Sequence, residues 1–267
     1  MENRLILSIF PGVDLLGMAF EALGFCVVRG PDRIFGGDIR QFDPPAGVFA
    51  GVIGGPPCQD FSRARRIAPT GYGLEMLAEF KRVIDQALPG WWLMENVSTV
   101  PDLRIDGYSW QRVDLTAAEC GGAQLRLRHF QFGSRDGALI NPLRTITRGA
   151  MEPAAMASEG GKVGRRRWAD FCRLQGLPAD FALPGFTTRG KYRAVGNGVP
   201  LQMGHVIAQA VIDRAIPATG ERHCVCGCGR AVSGRALQAT AACRKRMQVR
   251  RERDASSVRE PSTLTAE

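Results

Sequence analysis

The sequence lacks any long hydrophobic run and any internal repeat. None of its segments approaches the eighteen or so uninterrupted apolar residues of a membrane span. Its first twelve residues, MENRLILSIFPG, lack the basic start and the small-residue cleavage site of a secretory signal. We therefore expect a cytoplasmic protein without a membrane segment. At 267 residues the chain is too short for two large domains, so we expect one main domain with an appendage.

Charge of the two signs is unevenly represented. The chain has 35 Lys and Arg residues against 26 Asp and Glu residues, which gives a formal net charge of +9. Such an excess favours a polyanionic partner, nucleic acid ahead of a membrane surface, although a basic surface also serves solubility. The eight cysteines of a cytoplasmic chain are expected to be reduced, catalytic or metal-bound rather than paired in disulfides.

Short apolar runs alternate with helical patterns through the first hundred residues. Strands are predicted in RLILSIF (4–10), FCVVRG (25–30), VFAGVIGG (48–55) and WWLMENV (91–97), and helices in LLGMAFEALGF (15–25) and LEMLAEFKRVIDQALPG (74–90). This alternation predicts an α/β fold with a doubly wound, mostly parallel sheet. Ligands of such sheets bind beyond the carboxyl ends of the strands, where FPG, GGPPC and MEN all fall.

A lone cysteine follows two glycines and two prolines in GGPPCQDFS (54–62). Pro56 and Pro57 restrict the backbone, so Cys58 is held on a stiff, extended segment at a predicted strand end. A thiol placed in that way suits a nucleophile, whereas a cysteine without such neighbours is more often a small buried hydrophobe. Glu95, at the end of WWLMENV, is expected to enter the same cleft. A buried glutamate with a raised pKa can donate a proton to a ring nitrogen; a helix cap or a surface ion pair is the alternative role.

Six motifs in order, SIFPG, GDI, GGPPCQDFS, ENV, QLRLR and GNGVP, resemble those of the cytosine-C5 DNA methyltransferases, and the resemblance spans residues 5 to 212. It implies a Rossmann-like fold, S-adenosylmethionine as the methyl donor and double-stranded DNA as the partner. In that family a cytosine is flipped out of the duplex and a cysteine thiolate adds to its C6 carbon, which makes C5 nucleophilic. The matching positions are Cys58 for the thiolate, Glu95 for the carboxyl group on the base, and Arg126 and Arg128, supported by Gln124, for the arginines that orient both.

The same resemblance implies a cofactor site. Its matching positions are Phe10, Gly12, Asp32, Asp38, Ile39, Pro57, Asn197 and Val199. Asp14 stands where the family usually has a second glycine. We therefore expect that the tight turn, or the amino-acid end of the cofactor, is held by different contacts. Asp32, behind Pro31, is the nearest match to the acidic residue that binds the ribose, and an element usually present before GDI has been trimmed.

The catalytic core is predicted to cover residues 1–136 and 168–216. Its second part has helices in WADFCRLQGL and LQMGHVIAQAVIDRAI, separated by a turn-rich stretch. A target recognition segment can be placed only in residues 137–167. This stretch mixes Pro, Gly, Ala and Arg and shows no periodic pattern of apolar residues. Each good base contact gives about 1 to 3 kcal/mol of discrimination, so a segment of this size predicts a short or relaxed recognition sequence. We expect a monomer on DNA, and the resemblance raises a companion restriction endonuclease as a further partner.

Residues 217–253 have a different character, and residues 254–267 are polar enough to be disordered. Four cysteines of this segment supply enough thiolates for a structural zinc site, and His223 is adjacent to them. They are Cys224, Cys226, Cys228 and Cys243. The usual paired CxxC spacing is absent, so a disordered basic tail is the alternative. Either form carries clustered Arg and Lys residues that neutralise phosphates.

Three other functions are consistent with parts of the pattern. A tRNA cytosine-C5 methyltransferase would use the same residues, but its usual Cys-Phe-Thr motif is absent here. A catalytically idle nucleic-acid-binding relative commonly loses the cysteine or the glutamate, and both are present. A nicotinamide-dependent oxidoreductase would rest on the sheet pattern alone, without a GxGxxG turn.

Overall fold

The computed structural model describes residues 3–62, 68–145, 147, 149–217, 222–233, 236–245 and 247–248. The predicted disordered C-terminus, residues 254–267, lies outside this part, as do several residues of the predicted basic tail. Within the described part, no helix combines the length and the apolar character needed to cross a bilayer.

One mixed sheet forms the centre of the molecule. Its strands are β1 (Leu5–Ile9), β2 (Cys26–Arg29), β3 (Gly51–Gly54), β4 (Trp91–Asn96), β5 (Ser109–Thr116) and, after a two-residue strand β6 (Gln124–Leu125), β7 (Leu127–Ser134). The order across the sheet is β2-β1-β3-β4-β7-β5. β1 to β4 pair in parallel, and β7 runs antiparallel to both β4 and β5. The predicted mostly parallel α/β sheet is confirmed, and β5, which the sequence patterns did not predict, forms one of its edges.

Helices cover both faces of this sheet. The described part contains α1 (Leu15–Glu21), α2 (Tyr72–Ala87), α3 (Trp168–Leu174), α4 (Thr188–Asn197) and α5 (Leu201–Ile212). α1 and α5 pack on one face, against residues such as Ile6 and Phe130. α2 packs on the other face, against Val52 and Trp92, with buried residues at helical spacing from Met76 to Ala87. All six residues of β4 are buried because both faces of the strand are covered.

The stretch between α3 and α5 differs from the prediction. It was expected to consist of turns, but residues 188–197 form α4, whose first turn is capped by the Thr187 side chain accepting from Gly190 N at 3.0 Å. Tyr192 and Val195 are buried with Phe171 of α3 and Leu15 of α1 in a third apolar cluster. The helical pattern was missed because Arg, Lys, Gly and Asn dilute the apolar residues of TRGKYRAVGN.

The predicted recognition segment, residues 137–167, is partly built into the core. Ile140 and Ala155 are completely buried, and a two-residue strand β8 (Glu152–Pro153) pairs in parallel with β6. Beyond α5, strands β9 (Arg222–His223) and β10 (Ala231–Val232) pair antiparallel in the cysteine-rich tail. The described part of this tail is therefore folded, at variance with the alternative of a disordered tail.

Candidate active site

The segment that carries Cys58 is pinned to the strand beside it. Cys58 is half-buried four residues beyond the end of β3 and starts a 3-10 turn at Gln59–Phe61. The side-chain amide of Asn96, at the end of the neighbouring β4, donates to the Pro56 carbonyl at 2.9 Å. Asn96 belongs to the ENV motif, but its place in the sequence did not predict this role. The bond holds the stiff Pro-Pro segment, and therefore the thiol, at the carboxyl end of the sheet.

Glu95 enters the same cleft from β4, as predicted from its position. Its carboxyl group is buried and lies 2.7 Å, Oε1 to Nε, from the guanidinium of Arg128 on β7. Burial raises the pKa of Glu95, and the positive charges of Arg128 and Arg126 oppose that rise. Gly55 lies against the carboxyl group, since a Cβ there would be 3.2 Å from its Oε2.

The Cys58 thiol experiences the same charges. Its pKa is raised, first by burial and second by the negative charge of Glu95, while Arg128 and Arg126 lower it. The resting site therefore favours a neutral thiol over a thiolate at neutral pH. Protonation of Glu95 removes the repulsion, so the two groups are coupled through their charges.

Arg126 and Arg128 have different surroundings, although the sequence suggested a shared role. Arg128 lines the cleft beside Glu95, whereas Arg126 is buried outside it. The guanidinium of Arg126 donates to the carbonyls of Ala155, Gly196 and Gly198 at 2.7, 2.8 and 2.9 Å. Arg126 thus ties the junction of β6 and β7 to the end of α4, where the GNGVP motif begins.

Gln124 supports the same junction, in agreement with its predicted role. Its amide nitrogen donates to the Leu174 carbonyl at 2.6 Å, and its oxygen accepts from Ala155 N at 2.9 Å. Both bonds are buried. They hold α3 and residues 155–157 against the strand that leads to Arg126 and Arg128.

The FPGVD turn after β1 has an unusual backbone. Phe10, Gly12 and Asp14 all have positive φ angles, of 53°, 57° and 56°. Only glycine adopts this region freely, and Asp tolerates it better than most residues because its short polar side chain bonds locally. The turn is held from outside by Asp32, whose Oδ2 accepts from Gly12 N at 2.8 Å.

Asp14 explains why a second glycine is dispensable here. Its carboxylate caps α1 by accepting from Gly17 N at 3.0 Å, accepts from Ser8 Oγ at 2.8 Å and lies 2.8 Å from Arg29 Nε. The tight turn is therefore maintained by Asp14 in the left-handed backbone conformation. Burial raises the pKa of Asp14 to about 6, and the Ser8 hydrogen bond and the Arg29 charge limit the rise.

One cavity of about 1000 Å³ joins these groups. Of the predicted site residues, the following line it: Phe10, Gly12, Asp32, Asp38, Ile39, Pro57, Cys58, Glu95, Arg128, Asn197 and Val199. Arg126 is the predicted catalytic residue that the cavity leaves out. The Asp38 carboxylate is engaged by Arg40, which lowers its pKa to about 2. Phe186, Gly190 and Arg193 form a further wall that was not predicted, because the helix that carries two of them was taken as turns.

The cysteines of the tail form a second cluster, away from the cavity. The sulfur atoms of Cys224, Cys226, Cys228 and Cys243 all lie within 4.8 Å of one another, and the four residues are buried. A zinc ion with four thiolates at about 2.3 Å places its sulfurs about 3.8 Å apart, close to this spacing. The four predicted ligands are thus brought together despite their irregular sequence spacing.

Comparison with known proteins agrees with these arrangements. The family model described as C-5 cytosine-specific DNA methylase matches residues 33–159. The Type II methyltransferase M.HgiDI of Herpetosiphon aurantiacus is 30% identical over 166 residues, which cover 51% of this chain and 53% of that protein. The Type II methyltransferase M.AquIA of Picosynechococcus is 32% identical over 123 residues, covering 36% and 49%. The chain therefore matches about half the length of these relatives.

Solved structures share the fold at low sequence identity. The Dnmt2 methyltransferase of S. pombe superposes with a TM-score of 0.57 at 12% identity, covering 79% of this chain and 98% of that one. The Entamoeba histolytica methyltransferase EhMeth gives a TM-score of 0.55 at 11% identity, covering 80% and 99%. Together these comparisons lead to one conclusion: residues 33–159 match the C-5 cytosine-specific DNA methylase model, the sequence relatives are similar over about half of their length, and the fold is that of these solved methyltransferases.

Proposed function

We propose that this protein methylates C5 of cytosine in double-stranded DNA, with S-adenosylmethionine as the donor. The observation that carries the proposal is the cavity itself, because one space holds a thiol, a carboxyl–guanidinium pair and the FPG turn. The names of the relatives, Type II methyltransferases, support DNA as the substrate. By the same analogy we propose a companion restriction endonuclease, action as a monomer and a location in the cytoplasm.

Cys58, Glu95 and Arg128 have different roles toward the cytosine base. Cys58 Sγ forms a bond to C6 of the flipped cytosine, which raises the electron density at C5. Glu95, whose pKa is raised by burial, hydrogen-bonds N3 and the exocyclic amine of the base and can donate a proton to N3. Arg128 holds Glu95 in orientation through their 2.7 Å ion pair. Once C5 carries the methyl group, the C5 proton passes to water and the C6–Sγ bond breaks, which restores the aromatic ring and releases Cys58.

The other end of the cavity fits the cofactor. Its volume of about 1000 Å³ is at the upper end of the range for sites of small molecules and cofactors. Phe10 and Ile39 offer apolar contacts for a purine ring, and Asp32 and Asp38 offer carboxylates for hydroxyl or amino groups. The left-handed turn at Gly12 lets the backbone come close to the amino-acid end. When bound, S-adenosylmethionine supplies the methyl group on its sulfonium.

DNA recognition is assigned to residues 137–167. Ile140 and Ala155 are core residues, and the longest basic exposed stretch left for DNA runs from Lys162 to Arg165, in which Val163 is fully exposed. A stretch this short supports a short or relaxed recognition sequence. A strict six-base-pair site would contradict this part of the proposal.

The cysteine cluster is proposed to bind one structural zinc ion. Four buried thiols with the spacing described above match a closed Cys₄ site, which leaves no open position for catalysis. Metal analysis of the purified protein, beside a Cys228→Ser variant that should lose the metal, tests this assignment.

The experiment for the main proposal is bisulfite sequencing of genomic DNA from a methylation-free host that expresses the protein, beside a Cys58→Ala control. Cytosines protected only by the intact protein are expected, and their flanking bases give the recognition sequence. If both soluble proteins leave DNA unprotected, the DNA proposal fails. Bisulfite sequencing of total RNA from the same cells then tests the tRNA alternative.

A further inference from the structure

The cysteine cluster lies against the open edge of the catalytic sheet. β5 is the last strand of the sheet in the described part, with β7 on one side of it. The other side of an edge strand presents backbone groups that the sheet itself does not pair, which is the usual liability of such a strand. Here the amide of Arg112, in the middle of β5, donates to the carbonyl of Gly227 at 2.6 Å. Gly227 lies between Cys226 and Cys228, so the proposed metal-binding loop itself pairs with the edge.

The glycines of CVCGCG make this close approach possible. Gly227 and Gly229 have φ angles of +79° and +72°. A Cβ on Gly227 would be 3.3 Å from Arg112 N, and one on Gly229 would be 2.1 Å from Gln111 Nε2. Gln111 cannot move aside cheaply, because its buried amide group bonds both N and O of Ile140. In this loop the cysteines face one another and the alternate glycines face the sheet.

A second contact fixes the chain that leads to the loop. After α5, Ala215 pairs with Leu139, each backbone amide donating to the carbonyl of the other, at 2.9 and 3.2 Å. Leu139 adjoins Ile140, the residue that Gln111 holds. The described residues that follow α5 thus contact the catalytic core at Leu139 as well as at Arg112.

The braced strand supports a residue of the active site. β5 pairs with β7 along eight residues, and in this register Leu115 lies opposite Arg128. A buried pair, Asp114 Oδ1 to His129 Nδ1 at 2.7 Å, adds a side-chain link between the same strands. β7 in turn places Arg128 on Glu95.

From these contacts we propose that the metal-bound cysteine loop is a structural brace for the catalytic sheet: it covers the β5 edge and thereby stabilises β5 and β7. The inference rests on the proposed zinc site but not on methyl transfer. It differs from a tail that only adds positive charge for DNA, because it requires the loop to be ordered by metal against Arg112 in the absence of DNA.

Hydrogen exchange on the full-length protein tests the brace. Peptides covering residues 109–116 are compared between zinc-loaded protein and protein stripped by a chelator, without DNA. Metal removal should speed exchange there by about tenfold or more, while peptides covering β1 change little. Unchanged exchange in residues 109–116 would overturn the proposal. So would a failure of the protein to bind zinc, or an equal rise in β1, which would mean that the metal supports the whole fold.

A matched pair of glycine variants separates docking from metal binding. Gly229→Ala keeps all four cysteines but inserts a methyl group toward Gln111. Gly47→Ala has nearly the same φ angle, +71°, and nothing within 4 Å of the new Cβ. Only Gly229→Ala should raise exchange in residues 109–116. A Gly229→Ala variant with the same exchange as Gly47→Ala would refute the brace, whatever the methylation assay shows, so the two proposals fail independently.

Discussion

The Nε atom of Arg128 lies 2.7 Å from Oε1 of Glu95, and the two residues belong to antiparallel neighbours in the sheet. This ion pair sets the charge that the Cys58 thiol experiences. Arg128 lowers the pKa of the thiol and Glu95 raises it, and burial raises it further.

Replacing the carboxyl group should therefore make the nucleophile more reactive toward a simple reagent. In Glu95→Gln the negative charge is lost and Arg128 no longer has its ion-pair partner, so the pKa of Cys58 falls and more thiolate is present at pH 7 to 8. Iodoacetamide labelling of Cys58, followed by peptide mass spectrometry, should be faster than in the unmodified protein. The exposed thiol of Cys26 is the internal control and should react at the same rate in both. Equal or slower labelling of Cys58 would contradict the charge coupling.

Methyl transfer should respond to the same change in the opposite direction. Glu95→Gln removes the proposed proton donor to the base, and removal of such a group typically costs about 10²- to 10⁴-fold in rate. Single-turnover transfer of a labelled methyl group to DNA measures it. A variant that labels faster and also methylates faster would show that Glu95 acts only on the thiol.

The two arginines of QLRLR should have separable effects. Arg126→Ala leaves the buried carbonyls of Ala155 and Gly196 without their donor, while that of Gly198 keeps a bond from Gln175, and we expect a loss of about 3 to 5 kcal/mol in the free energy of unfolding. Arg128→Ala leaves the Glu95 carboxyl group without its partner, but that group lines the cavity and can take up a proton, so stability should fall by less than in Arg126→Ala while methyl transfer falls. Urea denaturation and the transfer assay together distinguish them. Equal stability losses would argue against the division of roles.

Stability should depend on pH through Asp14. The pKa of this carboxyl group is raised to about 6 in the fold from its ordinary value of 3.8. Its contribution is therefore fully present below pH 3.8 and is lost as the pH rises through about 6. Asp14→Asn keeps an acceptor for Gly17 and should be more stable than the unmodified protein at pH 8, by about 1 to 3 kcal/mol, with the difference vanishing near pH 3.5.

Asp38 is the control of opposite sign. Its pKa is lowered to about 2 by Arg40, so its contribution is present at neutral pH and is lost on acidification. Asp38→Asn should therefore lower stability at pH 7, where Asp14→Asn raises it. Thermal melts of the two variants across pH 3.5 to 8 measure both effects. Parallel pH curves for the two variants would contradict the assignment.

DNA affinity should depend on the exposed stretch next to α3. Lys162→Ala and Arg165→Ala should each weaken binding to duplex DNA, because fewer phosphates are neutralised, and each should reduce the slope of log K against log salt by about 1. Lys81→Ala, on the exposed surface of α2, is the matched control because its ammonium group already pairs with Asp85. Fluorescence anisotropy at several salt concentrations provides the slopes. Equal slopes for all three variants would remove residues 162–165 from the DNA interface.

Local patterns accounted for much of the fold and for the chemistry-bearing residues. Apolar runs and helical spacing predicted β1 to β4, α1 and α2, because these elements bury regular faces in a single sheet. α4 and β5 were missed for different reasons. α4 is rich in polar residues and buries only part of its surface. β5 follows the Asp106-Gly107 turn, but one of its buried positions is the polar residue Gln111, so its apolar alternation is incomplete.

The sequence by itself carried the resemblance to the cytosine-C5 DNA methyltransferases, the pattern of the sheet and the choice of Cys58, Glu95 and the four tail cysteines as candidate site residues. These depend on residue type and order, which a chain carries without its fold. Only the tertiary structure decided that Arg128 and not Arg126 contacts Glu95, that Asp14 takes the place of a glycine, and that the cysteine loop lies on the β5 edge. Each of these is an interaction between segments that the fold brings together, and its energy depends on distance and burial, which the packing of the whole chain sets.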